Sequence, residues 1–241
     1  MKVLGHRGVP VRAPENTLRG FAMALAEGAD GVELDVRLCA TGELVVCHDV
    51  TLARFTGGAA VRVAGCGAWA LKQWDVGEGE RVPLLVEVLR LMHGHTLNVE
   101  VKVDDGDAER LAPAVARELS GIAACGVDVI VSSFEPRVLD LLRAVAPKIR
   151  RGLLLSDDPW EAADGAARAR NCLPHAIHPH HAACTPERVR DWHALGMAVN
   201  TWTVDEEVDV RRVMAAGVDA LITNRARETV AIVGRAVHVA T

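Results

Sequence analysis

A set of side chains that together could bind a metal ion, hold an anion and move a proton lies within the first 102 positions. These are His6, Arg7, Glu33, Asp35, His48, Glu100 and Lys102. The carboxylates would repel one another if they packed together, so they need neighbouring cations or a hard divalent ion. Carboxylate oxygens with open positions suit Mg²⁺ or Ca²⁺. These residue types therefore indicate a metal site with acid/base histidines, which is the chemistry that cleaves a phosphodiester.

The charges of these side chains suggest how the chemistry would be divided. Arg7 and Lys102 can hold phosphoryl oxygens and offset the charge that develops on them. Hydrolysis also needs one group that deprotonates the attacking oxygen and one that protonates the leaving alkoxide, and His6 and His48 can serve. A single histidine or glutamate is usually structural, but the whole set in one chain favours function. The predicted metal ligands are the carboxylates Glu33, Asp35 and Glu100.

Eight short runs rich in β-branched residues alternate with segments of helical periodicity, and these elements must bring the side chains together. Strict alternation predicts parallel βαβ units, and eight of them fit an α/β fold of the (β/α)8 TIM-barrel type. A doubly wound open sheet is the competing fold, but no glycine-rich dinucleotide fingerprint follows the first run. The predicted strands are residues 2–6, 31–36, 97–102, 129–134, 150–155, 176–179, 198–203 and 220–223.

The carboxyl ends of the strands in such a barrel converge on one face, where active sites of this fold lie. His6 and Arg7 end the first predicted strand. Glu33 and Asp35 are two residues apart on the second strand and therefore point to the same side, and the same spacing recurs on the third strand. Further residues near strand ends, which would line the pocket or pack in the core, are Ser132, Ser133 and Trp202.

One segment interrupts the alternation. Residues 33–49 (ELDVRLCATGELVVCHD) contain two strand-like runs joined by a few residues, which predicts an antiparallel β-hairpin after the second strand. A two-residue loop at Thr41-Gly42 or a four-residue loop from Cys39 to Gly42 would put His48 on the carboxylate face. A three-residue loop with Gly42 in a left-handed conformation would turn His48 to the other face. The register stays open at this point.

The Gly-rich stretch after the hairpin, residues 50–82 with Trp69 and Trp74, is long for a loop in a compact domain. We interpret it as a small insertion or lid over the site, within a single domain of residues 1–241. Capping and proline signals predict three of the helices: one from Asn16 or Thr17 to Glu27, one from Pro83 to Met92, and one that Thr185-Pro186 open and Gly196 ends.

Composition disfavours several classes of function. The net charge is −5 and no basic stripe is interleaved with aromatics, so nucleic acid is not an expected partner. No apolar run approaches the roughly eighteen residues of a membrane span, and the first residues, MKVLGHRG, are far from a secretory signal. Six scattered cysteines without a CxxC pair suggest free thiols. We expect a cytoplasmic protein with a small neutral or anionic substrate.

With these residues identified, the chain resembles the glycerophosphodiester phosphodiesterase family over nearly its whole length. Several of the shared motifs are specific in combination and in order. They are HRG at 6–8, PENT at 14–17, VELDVRL at 32–38, VVCHD at 45–49, TLARFTG at 51–57, VPLLVEVL at 82–89, NVEVK at 98–102, VSSF at 131–134 and NTWTVD at 200–205.

The resemblance implies a distorted (β/α)8 barrel that cleaves glycerophosphodiesters, such as glycerophosphocholine or glycerophosphoethanolamine, to sn-glycerol 3-phosphate and an alcohol. By position it implies the same roles as the residue types do. The metal ligands are Glu33, Asp35 and Glu100, the acid/base pair is His6 and His48, and the cations that hold the phosphate are Arg7 and Lys102. Glu15 of PENT would hydrogen-bond within the site and orient its neighbours. In the mechanism usually proposed for the family, the glycerol 2-hydroxyl attacks phosphorus and water then opens the resulting cyclic phosphate.

Two other functions are weighed against this one. A phospholipase D-type or cyclising enzyme acting on lysophospholipids or sphingolipids should have an exposed apolar rim or an interfacial helix, and the sequence shows neither clearly. A barrel that binds without catalysis should lack a histidine or a metal carboxylate, and this chain has them all. The segment from 57 to 82 is shorter than the helical insertion of some longer relatives, which leaves headgroup selection open.

Two further features fall outside the motifs. Asn224 stands where an Asp often follows the Thr in the family and cannot supply the same charge, which weakens any role that the resemblance would assign there. His175, His178, His180 and His181 lack zinc-type spacing on a helix and are interpreted mostly as surface and loop residues. Of these, His178 and His180 could reach the rim of the pocket.

Overall fold

The computed structural model describes residues 1–104, 106–158, 165, 167 and 172–234. Eight parallel strands form a closed barrel, because the first strand along the chain pairs with both the second and the last. The predicted barrel is confirmed and the open doubly wound sheet is excluded. The strands are β1 (Lys2–His6), β2 (Gly31–Leu38), β3 (Leu44–Val46), β4 (Thr96–Val101), β5 (Asp128–Ser133), β6 (Arg150–Leu154), β7 (Ala176–His178), β8 (Ala198–Thr201) and β9 (Ala220–Thr223).

The helices cover the outer face of the barrel, so the strands are buried on both faces and carry the β-branched residues that such strands favour. Of Asn16 and Thr17, the two candidates for the cap of the first helix, Thr17 accepts a hydrogen bond from a backbone N–H three residues on. Thr185 does the same at the start of the helix that begins at Pro186. The helix predicted from Pro83 to Met92 is shorter than expected. The helices are α1 (Leu18–Ala26), α2 (Ala68–Leu71), α3 (Leu85–Leu89), α4 (Ala108–Glu118), α5 (Pro136–Val145), α6 (Pro186–Ala194), α7 (Glu207–Ala216) and α8 (Ala226–Ile232).

The predicted hairpin is formed by β2 and β3, which pair antiparallel. Its loop is residues 40–42, where the N–H of Gly42 donates to the carbonyl of Cys39 at 3.1 Å and Gly42 has a φ of +90°. This is the three-residue loop with a left-handed glycine. The two-residue and four-residue registers, which would have carried His48 to the carboxylate face by strand pairing, are wrong. Because β3 ends two residues before His48, pairing does not decide where that side chain points.

Residues 50–82 pack against the hairpin with a small core of their own. Leu52 and Leu71 are fully buried there together with Val45 of β3, whereas Trp69 is 79% exposed. None of the six cysteines, all of which belong to the described residues, forms a disulfide. Within the part of the chain that the structure describes, no helix has both the length and the apolar character that a membrane crossing requires.

Candidate active site

Three carboxylates project into the barrel from neighbouring strands. Glu33 and Asp35 lie on β2, and Glu100 lies on β4 directly beside Asp35 in the parallel register. One oxygen of each side chain lies within 4.8 Å of the chosen oxygens of the other two, and all three residues are buried. The carboxylates that sequence spacing assigned to one face therefore meet at one point.

Two cations pair with this cluster. Lys102 Nζ lies 3.2 Å from Asp35 Oδ1 and also contacts Glu100. Arg7 Nε lies 3.2 Å from Asp35 Oδ2, and its Nη1 donates a hydrogen bond to Glu15 at 3.2 Å. Each oxygen of Asp35 therefore has a cationic partner, and Glu15 holds the guanidinium through a second nitrogen.

The three carboxyls differ in how readily they ionise. Burial raises the pKa of Glu33 to about 8, and the neighbouring Asp35 charge adds to that effect. Burial and the same charge raise the pKa of Glu100 to about 7. Burial acts in this direction on Asp35 too, but Lys102 and Arg7 outweigh it and hold the pKa of Asp35 below its ordinary value. The protein alone thus stabilises one charge of the three well.

The donor set fits a hard divalent cation. Among the described residues, Asp35 Oδ1 and Glu100 Oε1 are buried atoms that contact Lys102 yet make no hydrogen bond of ordinary geometry. Carboxylate oxygens are the ligands that Mg²⁺ and Ca²⁺ prefer. A divalent cation would let all three carboxyls stay ionised, and it would bind oxygens that have no hydrogen bond of their own.

A strained turn after β1 aims Arg7 at the cluster. Arg7 and Gly8 have φ values of +49° and +88°. A side chain at Gly8 would bring its Cβ within 2.6 Å of the Gly20 carbonyl carbon, so no larger residue fits. The backbone N–H of Arg7 donates to Glu33 at 3.0 Å. Both the backbone and the guanidinium of Arg7 therefore contact the carboxylates, and such strain is typical of functional sites.

His6 lies between the carboxylates and the end of β9. Its Nε2 is 3.9 Å from Glu33 Oε2, and its Nδ1 is 2.7 Å from Oδ1 of Asn224. Burial and the charge of Arg7 lower the pKa of His6 below its ordinary value. Both effects favour the neutral imidazole, which can accept a proton.

His48 reaches the same cavity by a route other than strand pairing. Its backbone carbonyl accepts two hydrogen bonds from the Arg37 guanidinium, at 2.8 and 2.6 Å. Its Nδ1 lies 2.8 Å from Asp49, whose carboxylate Arg54 contacts at 2.6 Å. Burial lowers the pKa of His48. The chain bends after β3, and these contacts direct the imidazole toward the cavity that His6 also lines.

The cavity beside the cluster has a volume of about 340 Å³ and adjoins a second one of about 640 Å³. Trp202 forms part of the wall of the first, where its ring meets Phe134 edge-on with centroids 5.6 Å apart. Ser133 borders the second, and its hydroxyl is bound to backbone, donating to Val101 O at 2.9 Å and accepting from Glu135 N at 3.1 Å. Trp202 therefore contacts the cavity that holds both histidines, and Ser133 does not.

The expectation for the later histidines is wrong at His178. This side chain is fully buried inside the barrel, where its Nε2 lies 3.0 Å from the Asn200 amide nitrogen, and burial lowers its pKa to about 3. A Cβ on Gly152 would come within 2.4 Å of that Nε2, so the glycine makes room for the ring. His180 instead packs edge-on against Trp202 at 5.5 Å. His178 therefore belongs to the buried interior of the barrel and not to the rim of the pocket.

Several contributing residues were not identified from sequence. Asn16 donates to Asp35 at 2.9 Å, although it had been considered only as a helix cap. Arg37 continues the alternation of Glu33 and Asp35 along β2, and that spacing could have identified it. Asp205 ends the NTWTVD motif, but the motif did not reveal its partner, because the contact of Asp205 with the end of β9 depends on two strands being neighbours in the closed barrel.

Comparisons with known proteins agree on one family. The chain matches the model of the glycerophosphoryl diester phosphodiesterase family over residues 6–228. It is 34% identical over 235 residues to a glycerophosphodiester phosphodiesterase of Caldanaerobacter subterraneus subsp. tengcongensis. The matched region covers 92% of this chain and 93% of that protein.

Solved structures give the same picture. A phosphodiesterase of Oleispira antarctica, in complex with the product sn-glycerol-3-phosphate, superposes with a TM-score of 0.87 at 27% identity, covering 97% of this chain and 96% of that one. A glycerophosphodiester phosphodiesterase of Thermotoga maritima superposes with a TM-score of 0.78 at 28% identity, covering 96% and 98%. The barrel fold is therefore shared with a phosphodiesterase and with a glycerophosphodiester phosphodiesterase.

Proposed function

The chain belongs to the glycerophosphoryl diester phosphodiesterase family, and on that premise we propose that it hydrolyses glycerophosphodiesters to sn-glycerol 3-phosphate and an alcohol. The observation that carries the proposal is the meeting of three carboxylates, two cations and two histidines at one barrel cavity. The product complex of the Oleispira relative supports the product we assign. Glycerophosphocholine and glycerophosphoethanolamine are the first substrates to test.

A divalent cation, Mg²⁺ or Ca²⁺, is the cofactor in this proposal. Glu33, Asp35 and Glu100 would hold it, and when bound it polarises a phosphoryl oxygen and offsets the charge of the transition state. The raised pKa values of Glu33 and Glu100 support this assignment, because a nearby cation would let both keep their charge.

The cations and their neighbours bind and orient the phosphate in our proposal. Arg7 and Lys102 hold non-bridging phosphoryl oxygens. Glu15 fixes the Arg7 guanidinium, and Arg54 in turn holds Glu15 at 2.6 Å. Trp202 provides an apolar wall on which the glycerol carbons can lie. Ser133 supports the end of β5 through its backbone hydrogen bonds.

The two histidines move the protons. As the glycerol 2-hydroxyl attacks phosphorus, its O–H bond breaks and one histidine takes the proton, while the P–O bond to the alcohol breaks and the other histidine protonates the leaving oxygen. In the second step, water opens the cyclic phosphate with these proton transfers reversed, so both histidines return to their starting states. His6 and His48 are the pair we assign.

Two further assignments belong to this proposal. Residues 50–82 would flank the entrance to the site, since Arg54 of this segment reaches both Glu15 and Asp49. The whole of residues 1–241 would act as one catalytic domain. The cytoplasmic location stays a prediction from the sequence.

The test is a substrate panel with and without chelator. We expect purified protein with Mg²⁺ or Ca²⁺ to release glycerol 3-phosphate from glycerophosphocholine or glycerophosphoethanolamine, and we expect chelator to lower the rate by at least about a hundredfold, because the metal acts on the transition state. Readdition of the ion should restore it. Enzymatic detection of glycerol 3-phosphate measures the rate.

Two outcomes would overturn the proposal. Faster turnover of a lysophospholipid than of every small glycerophosphodiester would instead favour the phospholipase D-type or cyclising activity. Absence of glycerol 3-phosphate from the whole panel with either metal would favour a binding barrel without catalysis.

A further inference from the structure

Asn224 and Asp205 form a hydrogen-bonded link behind His6. Oδ1 of Asn224 lies 2.7 Å from His6 Nδ1, and Nδ2 of Asn224 donates to Asp205 Oδ2 at 2.6 Å. We propose that Asn224 and Asp205 are positioning residues that keep the His6 proton on Nδ1, so that Nε2 is the nitrogen that accepts a proton during the reaction. The inference rests on the proposed function, in which His6 is one of the two proton-transfer groups.

The direction of the Asn224 amide follows from its partners. An ionised carboxylate can only accept hydrogen bonds, so Asp205 receives the amide N–H and the amide oxygen must face His6. That oxygen is also only an acceptor, so the ring nitrogen opposite to it has to donate. A neutral imidazole with its proton on Nδ1 carries an open lone pair on Nε2. The link therefore selects one tautomer of His6.

Asp205 is itself fixed in place by the neighbouring strand end. Its Oδ1 accepts from the backbone N–H of Asn224 at 2.8 Å and from the hydroxyl of Thr223 at 3.0 Å, which leaves Oδ2 for the amide. Asp205 follows β8 and Asn224 follows β9, and the two strands are paired. The acidic residue that the family resemblance leads one to expect at position 224 is thus replaced by an amide with a carboxylate behind it.

The two histidines have unlike partners. The Nδ1 of His6 faces a neutral amide, whereas the Nδ1 of His48 faces the Asp49 carboxylate at 2.8 Å. A carboxylate stabilises an imidazolium and a neutral amide carries no charge with which to do so. His6 also lines the cavity. With Nδ1 held by Asn224, His6 exchanges its proton with the substrate through Nε2, and the proton it takes up comes from the hydroxyl whose electron pair forms the new P–O bond.

A pair of variants tests the link. In Asp205→Asn an amide N–H₂ would meet the N–H₂ of Asn224, so the Asn224 amide should turn round, present N–H to His6 and move the His6 proton to Nε2. We expect kcat to fall at least about tenfold with KM within about threefold, as for lost supporting contacts at other sites. In the double variant Asp205→Asn with Asn224→Asp, the carboxylate at position 224 can again accept from both neighbours, so kcat should return to within about threefold of the unsubstituted protein.

The tautomer is read directly by long-range ¹H–¹⁵N correlation spectra of ¹⁵N-histidine-labelled protein with Mg²⁺ at about pH 8, with the His6 signal assigned from a His6→Gln sample. We expect Nδ1–H in the unsubstituted protein and the double variant, and Nε2–H in Asp205→Asn. Asp191→Asn, an exposed aspartate on α6, is the matched control and should change neither kcat nor the spectrum.

The outcomes separate this inference from the function itself. Nε2–H in the unsubstituted protein, or a folded double variant that stays as slow as Asp205→Asn, would overturn the positioning role. If the unsubstituted protein hydrolyses no glycerophosphodiester, the proposed function fails, while the spectrum still decides the tautomer. Should Asp205→Asn fail to fold, the spectrum of the unsubstituted protein and the rate of the double variant still decide between the two results.

Discussion

Asp35 is held by a partner at each polar atom of its side chain. Lys102 contacts Oδ1, while Arg7 and the Asn16 amide contact Oδ2. Asn16 also accepts from the Asp35 backbone N–H at 3.3 Å and does so with a φ of +57°. So much fixed contact keeps the carboxylate in one position and keeps it charged, whereas Glu33 and Glu100 have raised pKa values. The site thus combines one permanent anion with two carboxyls whose charge depends on a neighbouring cation.

At the residue scale we predict opposite effects of Lys102→Met on catalysis and on metal binding. Lys102 competes with a metal for Asp35 and Glu100 oxygens, so its loss should tighten the binding of Mg²⁺ or Ca²⁺. Loss of a charge that stabilises the transition state should lower kcat/KM by about 10²–10³. Calorimetric metal titration and steady-state kinetics measure the two effects.

The matched control is Lys72→Met, which removes a lysine paired with Glu87 outside the cavity lining. It should alter neither the metal affinity nor the rate. Weaker metal binding in Lys102→Met would contradict our account of how the lysine and the metal share the cluster.

The elements of this barrel differ in how they deliver their side chains. β1, β2 and β4 end at the same face, so parallel pairing alone brings their polar residues together. The β2–β3 hairpin does not work this way, because its register would turn His48 outward if β3 continued. β3 instead stops at Val46, and Arg37 binds the His48 carbonyl while pairing with Asp104. The Arg37 side chain, and not the strand register, therefore directs His48 toward the cavity.

At the element scale we predict that Arg37→Lys lowers kcat by about tenfold or more while metal affinity is kept. Lysine keeps the charge but cannot make both N–H contacts that the Arg37 guanidinium makes to the His48 carbonyl oxygen, so the segment after β3 loses its direction. Steady-state kinetics and metal titration provide the measurements.

Arg117→Lys is the matched control, because Arg117 is exposed and contacts the far end of the same hairpin, at Gly42 O. It should keep the full rate. An Arg37→Lys variant with unchanged kcat would mean that His48 is directed by other contacts.

The main hydrophobic core lies between the barrel strands and the surrounding helices, and the interior of the barrel is partly polar. Between the strands and the helices lie side chains such as Leu34, Val99 and Val131, all fully buried. Inside the barrel, His178 is equally buried but polar, and burial lowers its pKa to about 3. A buried base that the fold keeps neutral links the stability of the whole chain to pH.

At this scale we predict that His178 makes the protein less stable as the pH falls. The unfolded chain takes up a proton at this histidine below about pH 6.5, and the folded chain cannot do so until about pH 3, so its contribution is complete above pH 6.5 and is lost on acidification. The free energy of unfolding of the wild-type chain should fall by about 1.4 kcal/mol per pH unit more steeply than that of His178→Asn.

Urea unfolding between about pH 7 and pH 4.5 measures this difference, and groups shared by both proteins cancel. His93→Asn, which removes an exposed histidine, is the control and should keep the steeper slope. Equal slopes for His178→Asn and the wild-type chain would show that the buried ring is protonated in the folded state.

The sequence by itself determined the features that depend on short stretches of chain. Alternating strand and helix patterns predicted the barrel, threonines predicted two helix starts, and spacing along β2 and β4 predicted that three carboxylates share a face. These features follow from backbone geometry over a few residues, since period 2 in strands and capping in helices need no distant partner.

Only the tertiary structure decided the features that depend on which distant elements become neighbours. His178 on β7 is buried because Gly152 on the neighbouring strand β6 leaves room for its ring. His48 faces the cavity because Arg37 binds its carbonyl after β3 has ended, and Asn224 meets Asp205 because β8 and β9 are adjacent. The physical reason is common to all three: the partner atoms are brought within hydrogen-bond or packing distance by barrel closure, and no local pattern in the chain records that distance.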